Sequence, residues 1–290
     1  MSNSIVVTDL SADKVREAVR ENYGQVALRG AAGAGCAPAE ASAAGGCCGT
    51  TTGCCGPGED TVVISADALS AGLGYNLNDL SSVPDGSNLG LGCGNPQAIA
   101  ALKPGEVVLD LGSGAGFDSF LAAQAVGETG KVIGVDMTAE MVQKARSNAG
   151  KTEYRNVEFR LGEIENLPVA DDSVDAIISN CVINLSPEKE RVFAEAYRVL
   201  KIGGRLAISD VVATADLPES ARADLSLYTG CVSGAAPITE LQAMLERAGF
   251  KEIAIKAKDE SREFIREWVP GSKIEDYVVS ATIEAIKPAN

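Results

Sequence analysis

Histidine is absent from all 290 residues. That removes the side chain most often used as a general base near neutral pH and the commonest nitrogen ligand of metals, so any chemistry must lean on carboxylates and sulfur. Positive charge is scarce too: 25 Lys and Arg stand against 40 Asp and Glu, a net charge of −15. Phosphate backbones and anionic membrane surfaces both call for clustered cations, which argues against nucleic acid and against a membrane as partner. No uncharged apolar run is long enough to span a bilayer, and the start, Met1-Ser2-Asn3-Ser4, has neither a basic nor an apolar targeting region. The expectation is a cytoplasmic protein. Aromatics make up only 4% while hydrophobic residues make up 46%, a balance ordinary for an α/β protein, and the length allows one large domain or a domain with a small appendage.

Cysteine is plentiful by contrast. Eight in a chain without an export signal read as thiols for metal, redox or catalytic work, not as a disulfide framework. Five of them, Cys36, Cys47, Cys48, Cys54 and Cys55, interrupt a stretch from Arg29 to Gly58 that, apart from Arg29 and Glu40, is otherwise Ala, Gly, Ser, Thr and Pro. Such a stretch buries too little apolar surface to offset its chain entropy, and a plain linker needs no thiols. Ahead of it, Val15, Ala18, Val19 and Tyr23 repeat at helical spacing, with Asp9 or Ser11 as cap, predicting a helix over residues 9–28.

The chain is organised around Val107-Val108-Leu109-Asp110-Leu111-Gly112-Ser113-Gly114-Ala115-Gly116-Phe117. An apolar β-like run passes through three glycines spaced two apart into a helical pattern, so that backbone replaces side chain where a ligand comes close. A second run, Val132 to Val135, ends in Asp136, about 20 residues past the last glycine and placed to accept hydrogen bonds from the two ribose hydroxyls of an adenosine ligand. Dinucleotide binding wants a glycine at position 117, where this chain has Phe. Gly-x-Gly-x-Gly behind an acidic residue resembles motif I of the class I S-adenosylmethionine-dependent methyltransferases instead. In that reading Asp110 holds the amino-acid end of the cofactor and Asp136 its ribose.

From there strands and helices alternate. Strands are predicted at residues 131–136, 157–161, 174–180 and 205–212, with helices stopping near Gly127, at Gly150 and at Gly203-Gly204. Thr138 is the expected cap of the second helix and Ser186, with Pro187 behind it, of the third. A further helix over 239–248 carries a Thr239/Gln242 capping box and stops at Gly249, and two β-like runs, 250–256 and 277–286, fit an antiparallel hairpin closing the sheet. The predicted architecture is Rossmann-like: a seven-stranded, mostly parallel sheet with helices on both faces and a small C-terminal α/β portion. Residues 1–60 form the N-terminal helix and Cys-rich segment, 61–215 the cofactor-binding domain, and 216–290 the C-terminal portion that completes the sheet.

Three thiols fall at loop positions on the carboxyl edge. Cys181 follows Asn180 at the tip of a strand, Cys231 sits in a Gly-flanked turn, and Cys93 lies between Gly92 and Gly94. A free cysteine is often core filling, but three in such places plausibly converge. Three thiolates without imidazole select a soft centre. Zinc usually takes four Cys, which the N-terminal pairs could supply; a trivalent metalloid takes three sulfurs and keeps a nucleophilic lone pair that needs no general base. A carbon or oxygen methyltransferase of a quinone-like molecule would share the core but want a base, and a thiol-based metalloid-binding protein would leave the cofactor loop unexplained.

Over nearly its whole length the chain resembles the bacterial and archaeal arsenite methyltransferases, through Leu89 to Pro96 (LGLGCGNP), Leu109 to Asp118 (LDLGSGAGFD), Gly134 to Thr138 (GVDMT), Gly162 to Leu167 (GEIENL), Ser179 to Leu185 (SNCVINL) and Thr229 to Ala235 (TGCVSGA). The resemblance implies that Cys181 and Cys231 bind As(III), with Cys93 as third ligand and redox partner. It implies S-adenosylmethionine as cofactor, with Asp110, Gly112, Ser113, Gly114 and Gly116 at its methionine moiety and Asn180 beside it. Asp136 and Met137 would meet the ribose and adenine, and Gly162, Glu163 and Ile164 would line the adenine pocket. The substrate would be arsenite or its thiol conjugates, the reductant thioredoxin or glutathione, and Cys47, Cys48, Cys54 and Cys55 accessory thiols.

Overall fold

A computed structural model describes residues 11–29, 65–269 and 271–289. In chain order they begin with α1 (Ala12–Arg29), α2 (Ala66–Gly72), α3 (Leu77–Ser81), α4 (Gln97–Ala100), β1 (Val107–Leu111), α5 (Phe117–Val126), β2 (Lys131–Asp136), α6 (Ala139–Ala149) and β3 (Val157–Leu161). There follow β4 (Val174–Asn180), α7 (Lys189–Val199), β5 (Leu200–Ala213), α8 (Glu219–Arg222), α9 (Leu225–Thr229), α10 (Ile238–Ala248), β6 (Lys251–Lys258), α11 (Arg262–Trp268) and β7 (Val278–Ile286).

The strands make one seven-stranded sheet in the order β3-β2-β1-β4-β5-β7-β6. All neighbours through β5 are parallel; β7 runs antiparallel to both β5 and β6. This is the sheet expected from the sequence, with helices on both faces. Side chains alternate along each strand, so Leu109, Leu111, Ile133, Ile177 and Ile208 join Val192, Phe193 and Leu245 of α7 and α10 in one core, while Val108, Val132, Ala176 and Ile178 meet Ala122, Ala123 and Val126 of α5 in another. The order reverses at β1, which pairs with β2 on one side and β4 on the other, opening a crevice at their carboxyl ends. Register keeps the tips level: Leu111 lies opposite Val135 and Ser179. No described helix is long and apolar enough to cross a membrane.

Three local expectations change. The Ser186 hydroxyl donates to buried Glu165 at 2.7 Å and accepts from the Glu188 amide at 3.1 Å, so α7 starts only at Lys189. α10 starts at Ile238 behind Pro237, which leaves Thr239 inside the first turn; no capping box forms, and the Gln242 amide donates to Glu246 at 3.0 Å. β5 begins at Leu200, directly after α7, and takes in Gly203-Gly204, where a Cβ on Gly204 would stand 2.9 Å from the Leu200 side chain. The last strand, β6, has its register slipped between Lys251 and Ala254, with Glu252 at φ 52°.

Phe193 is fully buried between sheet and α7. Phe193→Ala is expected to cost about 3–5 kcal/mol in urea unfolding, against under about 0.5 kcal/mol for Leu77→Ala at an exposed position.

Candidate cofactor and thiol site

A cavity of about 760 Å³ fills the crevice. Its wall includes Asp110, Gly112, Ser113, Gly114, Asp136, Met137, Ile164, Asn180, Cys181 and Cys231. Gly112 sits at φ 67°, and a Cβ there would lie 2.2 Å from Val182, so the loop leaving β1 has room only for backbone. Gly116 plays a different part: it lies off the wall, and a Cβ on it would strike the rings of Phe120 and Phe159, so it serves the seating of α5 on the sheet.

At the tip of β2 the two carboxylate oxygens of Asp136 accept from the amides of Gly114, at 2.9 Å, and Thr138, at 2.8 Å. These two bonds tie the glycine loop to the start of α6 and leave further lone pairs for two hydroxyls. The Thr138 side chain makes no capping bond; only its backbone amide is engaged, by Asp136. Burial raises the Asp136 pKa. Beside it the Ser113 hydroxyl is buried with no hydrogen-bond partner among the described residues. An open glycine cradle, an orphaned hydroxyl and a paired carboxylate fit an adenosine-containing ligand such as S-adenosylmethionine.

Two more carboxylates face the same cavity. Asp110 accepts from the Ser119 hydroxyl at 2.6 Å and is pushed well above the usual carboxylate range by burial first and then by Asp118. Asp118 accepts from the Tyr75 hydroxyl at 2.7 Å and the Asn180 amide at 3.3 Å, and burial raises it to about 6. No Lys or Arg pairs with either among the described residues, so the cavity wall is prepared for a cationic ligand. Asn180 also donates to the Gly94 carbonyl at 2.8 Å and accepts from the Cys93 amide at 3.0 Å, joining the tip of β4 to the Cys93 loop.

Cys93, Cys181 and Cys231 are all buried free thiols. Cys181 and Cys231 both adopt left-handed backbone, φ 59° and 65°, a conformation non-glycine residues enter at a cost. The Cys181 amide donates to Ser209 of β5 at 2.8 Å, and the Cys231 thiol donates to the Cys181 carbonyl at 2.9 Å. Cys93 lies behind the wall, its carbonyl accepting from Ser280 of β7 at 2.6 Å. The sulfurs of Cys93 and Cys181 and a carboxylate oxygen of Asp210 all lie within 4.8 Å of one another. Burial raises the Cys93 pKa; hydrogen bonding with the Cys231 and Cys93 thiols, then burial, raises that of Cys181 well above its usual value.

α1 covers the opening. Buried Arg16 pairs with Glu165 at 3.2 Å, with Glu163 at 3.8 Å and with Glu188, while the Tyr23 hydroxyl donates to the Thr229 carbonyl at 3.2 Å, two residues before Cys231. Of the three residues expected around adenine, Ile164 is on the wall; Gly162 and Glu163 are not, and Glu163 is turned to Arg20 at 2.9 Å. Cys47, Cys48, Cys54 and Cys55 lie outside the described residues. Tyr75, Asp118, Arg16 and Asp210 were not singled out from the sequence. Asp210 carries a signal that can be read there, a lone charge in an apolar strand (AISDVVA); Asp118, two residues past the last glycine, carries a weaker one.

Asp118 titrates at about 6 in the fold against the usual 3.8. A carboxylate raised by folding stabilises while protonated: that contribution is whole below about pH 4 and is lost as pH rises through about 6, some 3 kcal/mol when complete. Asp118→Asn keeps an acceptor for Tyr75 and stays neutral. The thermal midpoint of the ligand-free variant, relative to the native chain, is expected to be higher at pH 8 than at pH 5; an equal difference at both would refute this.

Residues 102–249 match a family model described as a methyltransferase domain. The arsenite methyltransferase of Halobacterium salinarum is 54% identical over 99% of this chain and 70% of that protein. That of Aquipseudomonas alcaligenes is 46% identical over 56% of this chain and 48% of that protein. Among solved structures, an arsenic(III) S-adenosylmethionine methyltransferase from Chlamydomonas reinhardtii superposes with a TM-score of 0.58 and 34% identity, over 77% of this chain and 74% of that one. With a methyltransferase-domain match across the glycine loop and strand tips, and 54% identity to the Halobacterium protein over nearly all of this chain, the chain belongs to the arsenite methyltransferase family.

Proposed function

We infer that this protein is an enzyme that transfers methyl groups from S-adenosylmethionine to arsenite held by Cys93, Cys181 and Cys231. One observation carries the assignment of the site: two buried thiols from distant segments, Cys181 and Cys231, line the cavity that holds the glycine loop, with the buried Cys93 thiol behind that wall, in a chain without histidine. S-Adenosylmethionine, when bound, supplies a methyl group on a positively charged sulfonium.

The residues around it divide the work. Asp136 takes the ribose hydroxyls, Met137 and Ile164 the adenine, and Asp110 the ammonium of the methionine end, supported by Gly112, Ser113 and Gly114. Arsenite exchanges its hydroxyls for thiols: each thiol proton leaves with a hydroxide as water, so three As–S bonds form and three waters depart. No general base is consumed, in keeping with thiols whose pKa values are raised while free. The bound As(III) keeps its lone pair, the nucleophile of the transfer. Fixed thiols in a water-poor cavity lower the barrier by positioning and desolvation. Transfer uses that lone pair and raises arsenic to the pentavalent state. Two thiolates returning two electrons restore As(III) and form a disulfide, which thioredoxin or glutathione reduces with Cys47, Cys48, Cys54 or Cys55 as accessory thiols.

Cys181→Ser and Cys231→Ser are each expected to abolish arsenite methylation, followed by arsenic speciation, while S-adenosylhomocysteine binding by calorimetry stays within about twofold. Methylation persisting in both variants would sink the thiol assignment. Gly112→Ala should do the reverse: with the Cβ driven into Val182, cofactor affinity falls at least about tenfold while arsenite still binds.

A further inference from the structure

We propose that the thiol centre is also a binding site for a thiophilic divalent cation such as zinc or cadmium, with Asp210 supplying a ligand that arsenite does not use. The inference shares two thiols with the arsenite site proposed above, but the carboxylate is its own. Cys93, Cys181 and Asp210 come from the loop before α4, the end of β4 and the carboxyl-terminal part of β5, all are buried, and their donor atoms lie within 4.8 Å of one another. Tetrahedral zinc with sulfur and oxygen ligands sets neighbouring donors roughly 3.3–3.8 Å apart, so the cluster closes on an ion with shifts of about 1 Å.

The carboxylate is held for such a task. Asp210 accepts from the Ile183 amide at 2.8 Å, the Asn184 side chain at 2.9 Å and its neighbour Val211 at 2.7 Å. Those bonds fix its orientation and fill three of about four acceptor positions, leaving one toward the sulfurs.

Valence separates the two occupants. Arsenic(III) is satisfied by three thiolates, and its lone pair takes the fourth direction; a divalent cation has no lone pair there and binds an oxygen beside its sulfurs. Loading releases one proton per thiol to solvent and involves no electron transfer. Because Cys93 and Cys181 cannot serve both at once, the cation competes with arsenite.

The test uses the full-length chain with Cys36, Cys47, Cys48, Cys54 and Cys55 changed to Ser, which leaves only the three described thiols. Cadmium chloride is titrated by sulfur-to-cadmium absorption, and arsenite by equilibrium dialysis. One cadmium is expected per chain, displaced by arsenite; Asp210→Asn should weaken cadmium about tenfold or more and arsenite less than about twofold. Equal weakening of both would make Asp210 a scaffold residue and overturn the proposal, as would unchanged cadmium affinity. X-ray absorption of the zinc-loaded parent adds a check without the Asp210 substitution: a shell containing oxygen with sulfur supports the site, and a purely sulfur shell overturns it. Asp210-dependent cadmium binding without arsenite binding would instead defeat the arsenite reading and leave this one standing.

Discussion

The structure depends on keeping unpaired negative charge out of water at one place. Asp110, Asp118 and Asp210, which are buried, and Asp136, which is half-buried, sit at or near the carboxyl ends of β1, β2 and β5 without a Lys or Arg salt bridge among the described residues. Burying a carboxylate costs several kcal/mol unless hydrogen bonds or a counter-charge offset it. Here amides and hydroxyls do so in part: Gly114 and Thr138 for Asp136, Ser119 for Asp110, Tyr75 and Asn180 for Asp118, Ile183 and Val211 for Asp210. The remaining deficit is what a cationic cofactor relieves, and a sheet with apolar cores on both faces is what makes the deficit tolerable.

The same arrangement explains why the thiols need no base beside them. Cys181 and Cys231 both adopt left-handed backbone at the cavity edge, and Asn180 ties the tip of β4 to the Cys93 loop, Tyr75 and α5 by four hydrogen bonds with Cys93, Gly94, Tyr75 and Asp118. Opposite, Arg16 is the one buried guanidinium among the described residues, and it is spent on Glu163, Glu165 and Glu188, not on the carboxylates at the strand tips. Positive charge thus holds the cover while the cavity behind it stays negative.

The sheet was legible because short continuous apolar runs alternating with glycine-stopped helices have few other solutions, and the glycine loop, Asp136 and the three thiols stood out because each broke its local pattern. The Tyr75–Asp118–Asn180 network was not, since its partners are 43 and 62 residues apart and nothing in their spacing marks them as neighbours. Local capping rules failed where tertiary bonds outbid them. Ser186 looked like a cap for α7 but is taken by Glu165, itself paired with Arg16 of α1, a contact across 149 residues. Glu163 kept the family's pattern yet is off the cavity wall, paired with Arg16 and Arg20 of α1, while Gly162 packs against Pro168 and Val135.

The slipped, charged outer strand has a consequence for how copies of this chain meet. An open sheet ends in rows of unpaired amides and carbonyls on which a second molecule could build. On one side β6 presents Lys251 at its irregular start and Lys256 and Lys258 at its end; on the other β3 carries Glu158 and Arg160, with Glu158 paired to Lys131 of β2. Any strand laid against either end would have to strip water from these charges and match a register that is already broken on β6, so the molecule's crowded neighbours find no template there.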